Sequence, residues 1–235
     1  MNLANYRTIV FDCDGVILDS NRIKTEAFRD VAAPIDTELA DELVRYHVEN
    51  GGVSRYRKFD FFLQRCREKG IEAPGNDELC RRFGDRVRGG LLECPVAEHL
   101  DALRAATPSS AWMVASGADQ AELREVFEAR GLASLFDAGI YGSPTGKREI
   151  VRRAFEQHGR ARPGLMLGDS REDYMAAIGA DLDFVFLAAW SEFGKLAQFA
   201  RENDIPVLEN LAQLFRGQQS QACSGSNIDR FRGHS

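Results

Sequence analysis

No two cysteines in this chain are spaced as C-x-x-C, and the five present (Cys13, Cys66, Cys80, Cys94, Cys223) are an odd number. That argues against a disulfide framework or a zinc site and predicts a reducing compartment, the cytoplasm. No apolar run approaches the about 18 residues that suggest a membrane helix. The first ten residues carry one Arg and nothing like the apolar stretch of a secretory leader. A basic excess is missing as well. The formal net charge is −6 over 235 residues, whereas a nucleic-acid-binding surface is strongly positive. The expected partner is therefore neither nucleic acid nor membrane. A small anionic substrate stays open, because a local basic pocket can sit on an acidic protein. What is present is ordinary for a globular protein: 44% hydrophobic and 28% charged residues. The length suits one large domain, or one domain carrying an insertion, with a sizeable core.

Short apolar runs recur, each stopped by a polar or glycine-containing turn. Thr8-Ile9-Val10-Phe11 ends at Asp12-Cys13-Asp14-Gly15, Ala111–Ala115 at Ser116-Gly117, and Leu165-Met166-Leu167 at Gly168-Asp169-Ser170. Phe184–Leu187 is a fourth run, and Ala138–Tyr141 a weaker fifth. Each reads as a buried strand followed by a loop. Between them, Ala118–Arg130 and Lys147–His158 show helical spacing with a glycine stop. Strands alternating with helices predict a mainly parallel sheet in a three-layer, Rossmann-like α/β/α core, with ligands beyond the carboxyl ends of the strands. From about Ser20 to Glu93 the pattern turns helical throughout, with turns at Asn50-Gly51-Gly52 and Ala73-Pro74-Gly75-Asn76. The predicted organisation is a core of residues 1–18 and 94–216, an inserted all-helical cap at 19–93, and a polar, loosely attached tail at 217–235.

The chemistry-bearing residues sit at those strand ends. Asp12 and Asp14, two apart on an extended backbone, can share one side. Paired carboxylates suit a divalent cation, and one can attack phosphorus while the other handles protons. The plainer alternative is an Asp-Gly turn. The alternation directs Cys13 away from both, into packing. Asp169 and Asp173 form a second acidic cluster, compatible with capping of the following helix by Asp169 or Ser170. Ser116, with the N–H groups expected to open the next helix, is suited to hold a phosphate; simple capping competes. Lys147 opens a helix, where a cation is disfavoured, which suggests that it balances carboxylates and phosphate.

In this order, Asp12-Cys13-Asp14-Gly15-Val16, Ser116-Gly117, Lys147 and Gly168-Asp169-Ser170 with Asp173 resemble the four motifs of the haloacid dehalogenase superfamily, over nearly the whole chain to about Phe215. The resemblance implies Asp12 as the nucleophile forming an aspartyl-phosphate and Asp14 as general acid, then base. It implies Ser116 and Lys147 as holders of the phosphoryl group. Magnesium would be bound by Asp12, the backbone carbonyl of Asp14, and Asp169, with Asp173 supporting the site. Family dehalogenases lack the second aspartate, so Asp14 favours phosphate esters.

The segment Asn50–Lys58 resembles the specificity loop of β-phosphoglucomutase-like members, in which the Arg of a Gly-Val-Ser-Arg stretch contacts a remote anionic group of the substrate, a role that the resemblance places on Arg55. Here that stretch is Gly52-Val53-Ser54-Arg55. Ser54 reads as an N-cap, and Arg55, Arg57 and Lys58 give the first turn the wrong sign for the helix dipole. Ser54, Arg55, Lys58 and Gly117 are the expected substrate-binding residues, and solvated surface cations are the alternative. The family's histidine twelve residues beyond the nucleophile is Lys24 here, which weakens a mutase reading without closing it; Lys24 could reach the site from the first helix of the cap, but a surface role is the favoured reading. The expected activity is a magnesium-dependent phosphatase for a small phosphorylated metabolite such as a sugar or sugar-acid phosphate. Alternatives are a sugar-phosphate mutase, a phosphoglycolate-type phosphatase and, less favoured, a non-catalytic binding protein.

Overall fold

The structure is a computed structural model and describes residues 2–216. The expected tail, 217–235, lies outside the described residues. The first apolar run forms β1 (Thr8–Phe11), buried at every position. It is followed along the chain by β2 (Ala111–Asp119), β3 (Ile140–Ser143), β4 (Gly164–Gly168), β5 (Asp183–Leu187) and β6 (Val207–Leu208). The six pair in the order β3-β2-β1-β4-β5-β6, each pair parallel. The direction of winding reverses at β1, so the crevice between the carboxyl ends of β1 and β4 is the switch point where ligands bind in such sheets.

Alternation along the strands sends successive side chains to opposite faces. Ile9, Phe11, Trp112, Val114, Leu165 and Leu167 pack on one face. Val10, Met113, Ala115, Met166, Phe184 and Phe186 pack on the other. The first face is covered by α5 (Leu100–Ala106) and α6 (Gln120–Ala129), the second by α7 (Lys147–Glu156), α8 (Arg171–Gly179) and α9 (Leu196–Glu202). This is the expected α/β/α core.

Between β1 and β2 the chain runs through α1 (Asn21–Ala32), α2 (Thr37–Glu49), α3 (Arg55–Lys69) and α4 (Asn76–Glu93), close to the four helices read from the sequence. They pack on one another around Phe28, Phe59, Phe62 and Phe83, all buried, and this apolar cluster is continuous with the first face of the sheet. The chain leaves and re-enters the core side by side: Asp19 N donates to Pro95 O at 3.0 Å, and Ala97 N to Ile17 O at 2.8 Å. No helix among the described residues is long and apolar enough to cross a membrane.

Several boundaries differ from expectation: β3 runs two residues later than Ala138–Tyr141, and α7 stops at Glu156, not His158. β2 continues four residues past Ala115, with a register irregularity before Asp119 pairs with Ser143. The next helix therefore starts at Gln120, not Ala118, and its N-cap is Asp119, whose side chain accepts from Ala121 N and Glu122 N. The short elements α5, α9 and β6 carried too few residues for a periodic signal.

Candidate active site

The buried end of β1 delivers Asp12 into the switch crevice, where its backbone N–H donates to Leu167 O on β4 at 2.9 Å. Its Oδ1 accepts from the N–H of Cys13 at 2.7 Å and pairs with Lys147 Nζ at 2.8 Å. Oδ2 has no hydrogen-bond partner among the described residues. Lys147, at the first position of α7, has a fully buried side chain that also reaches Asp173 Oδ1 at 2.5 Å. Ligand atoms of Asp12, Asp169 and Asp173 lie within 4.8 Å of one another. The charge at the start of α7 thus has a partner on each side, which accounts for a cation in an otherwise unfavourable position.

Three carboxylates and one ammonium leave an excess of negative charge. Burial, then repulsion from Asp173, pushes Asp12 up to about 7 despite Lys147. Burial and the Asp12 and Asp173 carboxylates hold Asp169 well above the usual carboxylate range. Burial opposes the charge on Lys147, but Asp12 and Asp173 outweigh it and raise its pKa. Asp173 has both oxygens engaged: Oδ2 accepts from Ser170 N at 3.0 Å, Ser170 Oγ at 2.6 Å and Asp169 N at 3.2 Å. With Ser170 as N-cap this is a capping box, so the capping reading of this segment holds beside any metal role. Asp169 Oδ2 accepts from Asn21 Nδ2 at 2.6 Å. A Cβ on Gly15 would stand 2.1 Å from that oxygen, and Gly15 has φ +78°, so glycine alone lets the β1 loop close over Asp169.

Asp14 turns toward the helical insertion. Lys24 Nζ donates to its Oδ2 at 2.5 Å and Ser20 Oγ to its Oδ1 at 2.6 Å. Burial works against ionisation, but Lys24 and Ser20 prevail and lower its pKa. The surface role expected for Lys24 is therefore corrected: it is buried, and its side chain packs toward the β1 loop rather than into water. Cys13, between the two aspartates, packs in the core as expected.

Ser116 is fully buried, and its Oγ accepts from Ala118 N at 3.0 Å. It lies inside β2 and does not cap α6, which corrects the expectation that helix-opening N–H groups adjoin it. Gly117 lets the insertion approach: a Cβ there would lie 2.3 Å from the carbonyl oxygen of Gly52. The loop between α2 and α3 is seated on the charged cluster, since a Cβ on Gly52 would lie 3.0 Å from Ser170 Oγ and 3.2 Å from Lys147 Nζ. Under this loop is a cavity of about 60 Å³, lined among others by Asp12, Asp14, Lys24, Arg55, Lys58 and Gly117.

The expected binding residues of α3 divide. Ser54 occupies the N-cap position with extended backbone, but its side chain makes no capping bond, so that part of the expectation is corrected. Arg57 is exposed. Arg55 is buried, reaches the Glu122 carboxylate on α6 with both terminal nitrogens, and lies 4.8 Å over the Phe83 ring. Lys58 is buried, with Nζ 2.7 Å from His47 Nδ1 and 5.5 Å from the Phe28 ring centroid. Burial, then Lys24, pushes Lys58 down to about 7. Burial and Lys58 hold His47 well below the ordinary histidine range. Sequence reasoning missed Ser20, Asn21, His47 and Glu122. Ser20 and Asn21 follow the Asp12–Asp14 loop closely and could have been suspected; His47 and Glu122 carry no local signal.

The chain belongs to the haloacid dehalogenase-like hydrolases, whose family model matches residues 6–181. No curated protein matches it in sequence. Among solved structures, it is similar to a predicted phosphatase from Clostridium acetobutylicum (TM-score 0.70, 17% identity, 92% of this chain and 99% of that one). It is similar to a predicted phosphoglycolate phosphatase from Haemophilus somnus 129pt (TM-score 0.67, 18% identity, 90% and 97%). CbbY from Rhodobacter sphaeroides, solved in complex with phosphate, is a third (TM-score 0.67, 19% identity, 89% and 96%). At these identities the likeness is one of fold.

Proposed function

We propose that this hydrolase is a phosphatase that cleaves a small phosphate ester, a sugar or sugar-acid phosphate, through a covalent phosphoryl group on Asp12. The observation that carries the reading is the meeting of Asp12, Lys147, Asp169 and Asp173 at the switch point, with Asp14 two residues from the nucleophile. An oxygen of Asp12 attacks phosphorus, and the ester P–O bond breaks. Asp14, in its acid form, gives its proton to the departing oxygen. In the second half Asp14, as carboxylate, takes a proton from water as the water attacks, and the Asp12–phosphorus bond breaks to release phosphate. The Lys24 and Ser20 contacts favour the carboxylate form, the one required for this second half. Lys147 stabilises the equatorial oxygens of the transferring group, and Ser116 and the Gly117 backbone adjoin it.

Clustered hard oxygen donors of excess negative charge fit magnesium. Asp12, the Asp14 carbonyl and Asp169 would hold it, with Asp173 orienting Lys147 and Ser170. The ion would offset the repulsion between nucleophile and phosphate. The four described cysteines are free, which supports the cytoplasm as the compartment. The helical insertion, residues 19–93, acts as the cap that shields the site.

The test is phosphate release from a panel of sugar phosphates, sugar-acid phosphates, phosphoglycolate and nucleotides, with and without magnesium, using Asp12→Asn as the blank. Magnesium-dependent release from one class, absent in the blank, is the expected result. Isomer interconversion primed by a bisphosphate, without release, would replace the phosphatase reading with the mutase. No turnover in either assay would refute both.

A further inference from the structure

The cations around the cavity are matched one by one, with a single exception. Lys147 faces Asp12 and Asp173, Lys24 faces Asp14, and Arg55 faces Glu122. Lys58 lines the same cavity, is 3% exposed, and forms no ion pair among the described residues; its one side-chain hydrogen-bond partner among them is His47, another nitrogen base. A buried ammonium without a counter-charge is costly, and such departures from the rules of folding concentrate at functional sites. The Phe28 and Phe83 rings, 4.3 Å apart between centroids, wall this end of the cavity, and the His47 ring lies 4.6 Å from that of Phe28. With Lys58 as donor, His47 accepts at Nδ1 and carries its proton on Nε2, which fixes the direction of the amino group.

We propose that Lys58, aimed by His47, is the receptor for a carboxylate at the far end of the substrate. The ester cleaved at Asp12 is thus the phosphate of a compact hydroxy acid. The assignment of the reacting end rests on the phosphatase reading; the receptor itself does not. One unmatched positive charge balances a carboxylate and falls short of a second phosphate dianion. The cavity of about 60 Å³ is small, room for roughly four to six waters, which favours a short acid. Arg55, the residue that resemblance nominated for this task, is already neutralised by Glu122 and anchors α3 to α6 instead.

The experiment uses phosphonoalkanoates, whose P–C bond is not hydrolysed, in a short chain-length series, each compared with its terminal carboxamide. Binding is measured by calorimetry on the full chain with magnesium. At the best length the acid binds about 10- to 100-fold more tightly than the amide, the range for a hydrogen bond to a charged group. In Lys58→Met that ratio falls to near one. His47→Leu lowers it, and His47→Gln, which restores an acceptor for Lys58, recovers it. Failure of phosphate release in the panel above would sink the phosphatase reading and leave this ratio readable. A ratio near one in the unaltered protein at every length, or a ratio that survives Lys58→Met, overturns the receptor. Tighter binding of the matching bisphosphonate, lost in Lys58→Met, overturns the carboxylate assignment.

Discussion

Replacing Lys58 by Met should make the ligand-free protein more stable, and the gain should vanish at high pH. In the folded protein the Lys58 amino group is pushed from its ordinary value near 10.5 down to about 7, burial being the largest cause and Lys24 the next. Lys147 adds to the depression, while Asp14 and Asp12 oppose it. His47, the group in direct contact, is held well below its ordinary value, so it is neutral throughout this window. A base depressed on folding binds fewer protons in the folded chain than in the unfolded one. Between about pH 7 and 10.5, stability therefore rises with pH as Lys58 sheds its proton. Below pH 7 the penalty is complete. About 3.5 pH units at 1.36 kcal/mol each sets a ceiling of about 5 kcal/mol. A realised gain of about 2 kcal/mol would raise Tm by about 4–8 °C for a chain of this size. The assay is thermal unfolding of both proteins without magnesium at pH 7 and pH 10. A Tm for Lys58→Met that is unchanged or lower at pH 7, or a gain equal at both pH values, would refute the uncompensated-cation argument.

Magnesium should stabilise the protein more at pH 8 than at pH 5. Asp12 is raised to about 7, so the stability it allows is whole below its ordinary value near 3.8 and is lost as pH climbs through about 7. A bound cation relieves that repulsion, and equal Tm increments at the two pH values would contradict this account. Gly117→Ala places a methyl 2.3 Å from the Gly52 carbonyl oxygen, so the loop between α2 and α3 must lift. We expect kcat/KM to fall on the order of 100-fold, with a Tm close to that of the parent; unimpaired turnover would show that loop seating is irrelevant to catalysis. Glu122→Gln strips the counter-charge from buried Arg55 and should cost about 3 kcal/mol in urea unfolding, most of it recovered in Arg55→Met/Glu122→Leu. A loss below about 1 kcal/mol would mean that the pair contributes little.

The parts of this molecule that were legible in its sequence are those written locally. A strand such as Thr8–Phe11, buried on both faces, must be a continuous apolar run, and a turn after it must be polar, so strand and site are announced within eight residues. Lys147 was legible for a related reason. A cation opening a helix violates a local rule, and Asp12 and Asp173 supply the compensation across the crevice. Where the reading slipped, the deciding contact was distant. Ser116-Gly117 looked like the end of a strand because glycine usually punctuates. Here that glycine sits inside β2, where Gly52 of the insertion requires the space.

The first turn of α3 shows the same limit more sharply. Arg55, Arg57 and Lys58 are equivalent by sequence: three cations within one turn, each breaking the dipole rule. Their fates are assigned by residues 67 positions away for Arg55 and 11 positions away for Lys58, and by solvent for Arg57. A conspicuous charge in a motif is therefore insufficient to identify a ligand contact. An arginine that already holds a carboxylate has little left to offer an anion, because rebinding would strand Glu122 in turn. The lysine beside it, with no carboxylate in ion-pair contact among the described residues, gains most when an anion arrives. In a buried, highly charged cavity, the residue that remains unmatched after every internal pair is drawn is the one whose partner must come from outside.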